Sequence, residues 1–201
     1  HLTVLLPDDD TPAIIIEPGA GTGRLTRIMT TTNRTIHTFD RYDHMLHQAR
    51  QQSSSTTTTY TVADNQHLPV GSNLADACVA GWSLGHTTGW FPQQWQQKID
   101  AVISEFQRVL KSGGTIIIFE TMGTGRETPQ PPTEGLAAYY AHLEDVHGFR
   151  SRTFRTDYCF PSVEEGERLT RFFFGDELAD RLRQSGKPTL PEYTGMWWRS
   201  S

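Results

Sequence analysis

Cysteine is scarce in this chain: only Cys78 and Cys159 occur, far apart and each in an apolar setting. That leaves no disulfide framework and no cysteine-based metal site to be read from spacing, so no metal is expected, and it fits a reducing, cytoplasmic compartment. A basic surplus is lacking too, with 18 Lys and Arg against 23 Asp and Glu and a formal net charge of -5. Nucleic acid is therefore not an expected partner, since a phosphate backbone needs cations to neutralise it. Arg150, Arg152 and Arg155 do cluster, but in an alternating segment closed by Asp157, and read as a solvated strand face. Long apolar runs are also missing. Ala13 to Ile16 and Ile116 to Phe119 fall far short of the roughly 20 residues that a membrane span requires, and no secretory pattern opens the chain. No membrane partner is expected. The start at His1 is abrupt, and the native protein is expected to begin earlier.

What is present is alternation. Short β-rich runs at Ala13 to Glu17, Thr35 to Asp40, Tyr60 to Val62, Ala75 to Gly81 and Thr115 to Glu120 are separated by helical patterns, the signature of βαβ units and a parallel sheet. The clearest helix spans about Pro92 to Leu110, where Trp95, Ile99, Val102, Ile103, Phe106, Val109 and Leu110 recur on one face. Ser112-Gly113-Gly114 stops it. The almost pure Ser/Thr tract Ser53 to Thr59 reads first as a surface loop and then as the entry to a strand. Beyond the Pro-rich stretch Thr128 to Pro132, helices are expected at Thr133 to His147, from a capping box at Ser162 and Glu165 toward Phe174, and at Asp176 to Gln184. Strands are expected at Ser151 to Phe160 and Gly195 to Trp198. Phe172-Phe173-Phe174 reads first as core packing, with a cavity lining or an oligomer contact as the alternatives. The length fits one domain over residues 1–201, with a ligand-binding half at 1–125 and a second half at 126–201 that forms a partial cap.

Glu17-Pro18-Gly19-Ala20-Gly21-Thr22-Gly23 follows the first strand and opens a helix, so its backbone can approach a ligand that side chains would repel. Asp40 ends the second strand, where a carboxylate can accept two hydrogen bonds from a ribose. Asp64, with Asn65 beside it, ends the third, where an acceptor and an amide can bracket the edge of a purine. Phe39-Asp40 is followed by Met45-Leu46 and Ala49-Arg50. Asp64 is followed by Leu68-Pro69, Asp76 precedes Ala77-Cys78-Val79, and Val109 to Gly114 makes the turn before the fifth strand.

Together these motifs resemble the class I S-adenosylmethionine-dependent methyltransferases, in the branch of small enzymes acting mainly on small molecules. The resemblance runs from about Ala13 to Glu120 and more loosely onward. It implies a doubly wound, mostly parallel seven-stranded α/β sheet, here with a helical insertion near the C-terminus. It also implies S-adenosylmethionine as cofactor and S-adenosylhomocysteine as product. Position by position, Glu17, Gly19, Ala20 and Gly21 would meet the methionine part, Asp40 the ribose, Arg41 the adenine face, and Asp64 with Asn65 the adenine edge. Trp82 would sit near the sulfonium. Two features depart from the family pattern: Tyr42 replaces a small polar residue, and only a dozen residues precede the first strand, where the family commonly has a helix covering the cofactor.

In such sheets the acceptor lies beyond the carboxyl ends of the strands, so Trp82, His86, Trp90 and Glu120 are the expected substrate wall. His86 is the first candidate for a general base, because imidazole titrates near neutral pH; His142, His147 and Glu120 are alternatives. The expected activity is methyl transfer to a small-molecule acceptor by in-line displacement, with positioning as the main contribution. Two other readings stay open. One is a module that binds the cofactor without turnover. The other is a short-chain nicotinamide dehydrogenase, disfavoured because Arg24 follows the G-x-G-x-G spacing and no Tyr-x-x-x-Lys pair occurs.

Overall fold

In the computed structural model, which describes residues 5–201, the first strand β1 (Ala13–Pro18) is buried along nearly its whole length. A parallel strand with helices on both faces of its sheet requires this, which is why Ala13 to Ile16 is apolar without alternation. β1 lies between two parallel neighbours, β2 (Arg34–Asp40) on one side and β4 (Ala75–Gly81) on the other. β3 (Thr58–Val62) extends the sheet beyond β2, and β5 (Leu110–Thr124) lies beside β4, both again parallel. With β6 (Arg150–Arg155) and β9 (Glu192–Ser200) the sheet has seven strands in the order β3-β2-β1-β4-β5-β9-β6. The chain reverses its direction of travel between β1 and β4, and a doubly wound sheet opens a crevice at such a point. The expected architecture is thus observed.

The crossovers follow from the sequence. α1 (Arg24–Met29) and α2 (Asp43–Gln51) link the first three strands. α3 (His86–Trp90) and α4 (Trp95–Val109) follow β4. In α4 the side chains of Ile99, Val102, Ile103, Phe106 and Val109 are buried, as their helical spacing predicts. Asp76, at the start of β4, fixes its surroundings with both oxygens. One accepts the Ile14 amide at 2.8 Å and the other pairs with the Lys111 ammonium at 2.7 Å. Between β4 and β5 the register shifts, Ala75 facing Leu110 but Ala77 facing Thr115. The glycine turn Ser112-Gly113-Gly114, with Gly113 at φ 79, therefore lies inside β5 as a bulge rather than before it.

The chain divides into two compact units. The first comprises the residues up to Glu120 with Gly135–Ser151 and Trp197–Ser201, and holds most of α5 (Glu134–Asp145), whose Tyr139, Tyr140 and Leu143 are buried. The second comprises Thr121–Glu134 and Arg152–Met196. It contains α6 (Val163–Phe174), α7 (Asp176–Ser185) and a small antiparallel pair, β7 (Tyr158–Cys159) with β8 (Thr189–Leu190). Its core is Leu178, Leu182 and Leu190, packed against Tyr158, Phe160 and Val163. Arg171 joins its two helices through Glu167 at 2.9 Å and Asp180 at 2.8 Å, and also pairs with Asp176. Ser162 caps α6 by accepting the Glu165 amide, while the Glu165 carboxylate turns to Arg168 instead of closing the box.

Two expectations are corrected here. The strand read across Ser151 to Phe160 is broken after Arg155, because Asp157 accepts the Arg155 guanidinium and the Glu192 amide and bends the chain. Phe172 and Phe173 are not core residues: they are 80% and 68% exposed, and Phe174 is also exposed. The buried positions of α6 are Gly166 and Thr170, with Val163 packed on the small core, and the Phe run falls at its end. Among the described residues no helix is long and apolar enough to cross a membrane.

Phe106 is fully buried in α4. Phe106→Ala is expected to lower the unfolding free energy by about 3 to 5 kcal/mol, as loss of transfer energy and a residual cavity add; urea denaturation followed by circular dichroism measures it.

Candidate functional site

At the carboxyl ends of β1, β2 and β4 the first unit encloses a crevice of about 350 Å³, within the range of small-molecule sites. Its floor is the glycine turn. Gly19 and Gly21 have φ of 66° and 55°, a region costly for residues with a Cβ. At Gly19 space forbids one as well: a Cβ there would lie 2.5 Å from the Ser83 Cβ. At Gly21 the nearest atom, in Met45, would be 3.7 Å away, so that position is open toward the crevice.

Asp40 organises the turn. One carboxylate oxygen accepts the Gly21 amide at 2.8 Å and the other the Tyr42 amide at 2.9 Å. A carboxylate offers about four lone-pair sites, so Asp40, which lines the crevice, keeps acceptor capacity for a ligand. Asp64 also lines it and pairs with the Arg41 guanidinium at 3.0 Å. Partial burial works against its ionisation, but the Gln66 amide and Arg41 outweigh that and hold its carboxyl below the usual range. Asn65 stands beside it in the same wall.

Glu17 and Ala20, expected at the ligand, are not among the lining residues. Glu17 is buried behind the turn, accepting the Thr26 amide at 3.1 Å and the Thr26 hydroxyl at 2.5 Å. Burial pushes its pKa up to about 7, against the opposing hydrogen bonds of Thr26 and Thr38 and the charge of Arg27. The Ala20 amide is spent on the Phe39 carbonyl at 2.9 Å.

The opposite wall follows β4. Trp82 has φ 50, rare for a bulky residue and costing on the order of 1–3 kcal/mol. Its amide donates to the Phe119 carbonyl at 2.7 Å, its ring stacks on Phe119, and the Arg24 guanidinium lies 4.4 Å from the ring centroid. His86 and Trp90 stack on each other with centroids 5.2 Å apart, and both line the crevice. Glu120, also expected to meet substrate, lies buried behind this wall. It accepts the Gly85 amide at 2.8 Å, and burial raises its pKa to about 7 against the Gly85 and Leu84 amides. It thus anchors the start of α3 rather than facing the crevice. His142 and His147 do not line the crevice either; both bond to Asp100.

Several lining residues escaped the sequence reading: Tyr42, Met45, Gln66, Phe91 and Lys98. Lys98 places its ammonium 4.3 Å from the Phe91 ring centroid, a cation–π arrangement. The available signal was helical spacing: Lys98 and Val102, four apart, share the α4 face that lines the crevice.

The model of the family described as "Methyltransferase domain" matches residues 16–118, just over half of the chain. The chain belongs to the methyltransferase family. This methyltransferase chain is 29% identical over 125 residues to a malonyl-[acyl-carrier protein] O-methyltransferase of Yersinia pestis, a match covering 62% of this chain and 42% of the relative. A protein of the same name from Geobacter sulfurreducens is 32% identical over 189 residues, covering 92% of this chain and 59% of that one. The methyltransferase chain thus spans less than two thirds of the curated relatives it matches. Its fold is similar to that of Haemonchus contortus phosphoethanolamine N-methyltransferase 2 in complex with S-adenosyl-L-methionine, with a TM-score of 0.57, 19% identity, and coverage of 98% of this chain and 50% of that one. At that identity the likeness shows the fold alone.

The family cofactor is S-adenosylmethionine, and the residues present fit it. The opening at Gly21, the unspent acceptor sites of Asp40, and the Asp64–Asn65 edge line one crevice.

Glu17 generates a pH dependence. The folded chain keeps its proton up to about pH 7, whereas the unfolded chain releases it near 4.5. The stabilisation is therefore complete below pH 4.5 and is lost as pH rises through 7. Glu17→Gln cannot ionise. The unfolding free energy of the variant relative to the parent is expected to rise by on the order of 3 kcal/mol between pH 4.5 and 7.5, read from urea titrations across that range.

Proposed function

We propose that this chain transfers the methyl group of S-adenosylmethionine to an oxygen of a small acceptor held between α3 and Lys98. The observation that carries the reading is that Lys98, Phe91, His86 and Trp90 line the same crevice as Asp40 and Asp64. Donor-type and acceptor-type side chains thus face one space. When bound, S-adenosylmethionine supplies a methyl carbon already activated by a sulfonium, so the protein's task is alignment more than activation.

The roles then follow from the chemistry of each side chain. Asp40 holds the ribose hydroxyls and Asp64 with Asn65 the adenine edge. Gly19 and Gly21 let the backbone pass under the methionine part, Arg41 lies beside the adenine, and Trp82 closes the site near the sulfur. His86 and Trp90 form a flat wall for an apolar or aromatic acceptor. The Lys98 ammonium attracts a carboxylate or another anionic acceptor group. A carboxylate is already deprotonated and needs no base; a hydroxyl acceptor would pass its proton to His86. Relatives named for O-methylation match over as much as 92% of this chain, against 68% for a ubiquinone/menaquinone biosynthesis C-methyltransferase of Caulobacter, which favours an oxygen acceptor.

Calorimetry with S-adenosylmethionine and S-adenosylhomocysteine is expected to show binding that Asp40→Ala weakens at least tenfold. Failure of the parent chain to bind either compound overturns the reading. Against a panel of small carboxylic acids and phenols, Lys98→Ala is expected to raise KM for the acids more than tenfold with kcat little changed. His86→Ala is expected to lower kcat for phenols, on the order of a hundredfold, and to spare the acids.

A further inference from the structure

Apart from the crevice, the first unit brings three donor atoms to one point. Asp100 lies on α4, His142 in the last turn of α5, and His147 in the turn that follows α5. The His142 Nε2 is 2.7 Å and the His147 Nε2 2.8 Å from the same Asp100 oxygen, Oδ1. All three candidate ligand atoms lie within 4.8 Å of one another. The two imidazoles stand nearly perpendicular, at 79°, with centroids 5.0 Å apart. Neither stacks on the other, and their Nε2 atoms aim at a common position.

The surroundings hold this arrangement. The His142 and His147 side chains are only 10% and 14% exposed, while that of Asp100 is 48% exposed. The Trp95 ring packs edge-on against His142, with centroids 5.4 Å apart. The His147 amide donates to the His142 carbonyl, and the His147 carbonyl accepts the Arg199 guanidinium at 2.7 Å. The imidazoles are thus preorganised by packing and the carboxylate is free to adjust.

Hydrogen bonding alone accounts poorly for this economy of groups. The Asp100 side chain is half exposed, yet two largely buried imidazoles both turn to one of its oxygens. A divalent ion replaces both protons at once and gains three ligands. Two imidazoles and one carboxylate suit zinc and its first-row neighbours, whereas calcium and magnesium prefer oxygen alone. Tetrahedral zinc with bonds of about 2.0 to 2.2 Å sets its ligands roughly 3.3 Å apart. Asp100 would need to withdraw by about half an ångström and the two Nε2 atoms, within 4.8 Å of each other, to settle at the same spacing; the exposed side of Asp100 leaves the fourth position to water.

We propose that Asp100, His142 and His147 form a binding site for zinc or a similar first-row divalent ion, outside the crevice. The ion joins the middle of α4 to the end of α5, two elements distant in sequence. Its role is to brace them, since none of the three ligands lines the crevice.

The test uses the full chain freed of metal by chelation. Titration with Co²⁺ is expected to give the visible absorption of a four-coordinate site, displaced by Zn²⁺ at one ion per chain, and Zn²⁺ is expected to raise Tm by several degrees. Ni²⁺ is expected to quench tryptophan emission, and Trp95→Phe to remove most of that quenching. Asp100→Asn and His147→Gln are each expected to weaken Zn²⁺ binding at least tenfold. Absence of saturable binding to the parent chain overturns the proposal. So does unchanged binding in the His142→Ala, His147→Ala double variant, folded as judged by circular dichroism.

Discussion

The carboxylate of Asp40, shared between the amides of Gly21 and Tyr42, is the contact on which the crevice depends. It joins the turn after β1 to the turn after β2, two segments that the sheet alone aligns only as far as their strands extend. Without it two part-buried backbone donors at the edge of the crevice would lose this acceptor, at a net cost on the order of 1 kcal/mol each. Glu17 complements it from behind by tying Thr26, in α1, to the end of β1. The turn is therefore held on both sides by carboxylates, of which only the one in front lines the crevice.

The wall that α3 contributes to the crevice is built on the same plan. Glu120, at the carboxyl end of β5's buried stretch, receives the Gly85 amide and sets the start of α3. In both places a buried acid organises the backbone, and the groups free to meet a ligand belong to the loops it organises. This division explains why Glu17 and Glu120, expected at the ligand, are buried and do not line the crevice. A sequence records that an acid ends a strand, but not which side of the following turn its side chain occupies.

Much of the sheet was legible because periodicity reports burial directly. β1, β4 and the buried part of β5 are continuous apolar runs, and α4 repeats its apolar residues at helical spacing, so both signals come from the same physical cause. Asp40, Asp64 and Trp82 line the crevice as strand-end position suggested. Legibility failed where long-range contacts decide. Asp157 breaks the strand expected across Ser151 to Phe160 through a partner 35 residues away. The short α3 has no buried residue of its own and hence no pattern to read. Phe172 and Phe173 are apolar yet exposed, and composition alone carried them into the core.

The close approach of Gly19 to Ser83 has a further meaning for how such a site can change. Where two loops meet atom to atom, neither residue can be enlarged without moving the other loop. Under the proposed reading, changes of acceptor preference would then fall to α3 and the Lys98 face of α4, which line the crevice without taking part in that contact.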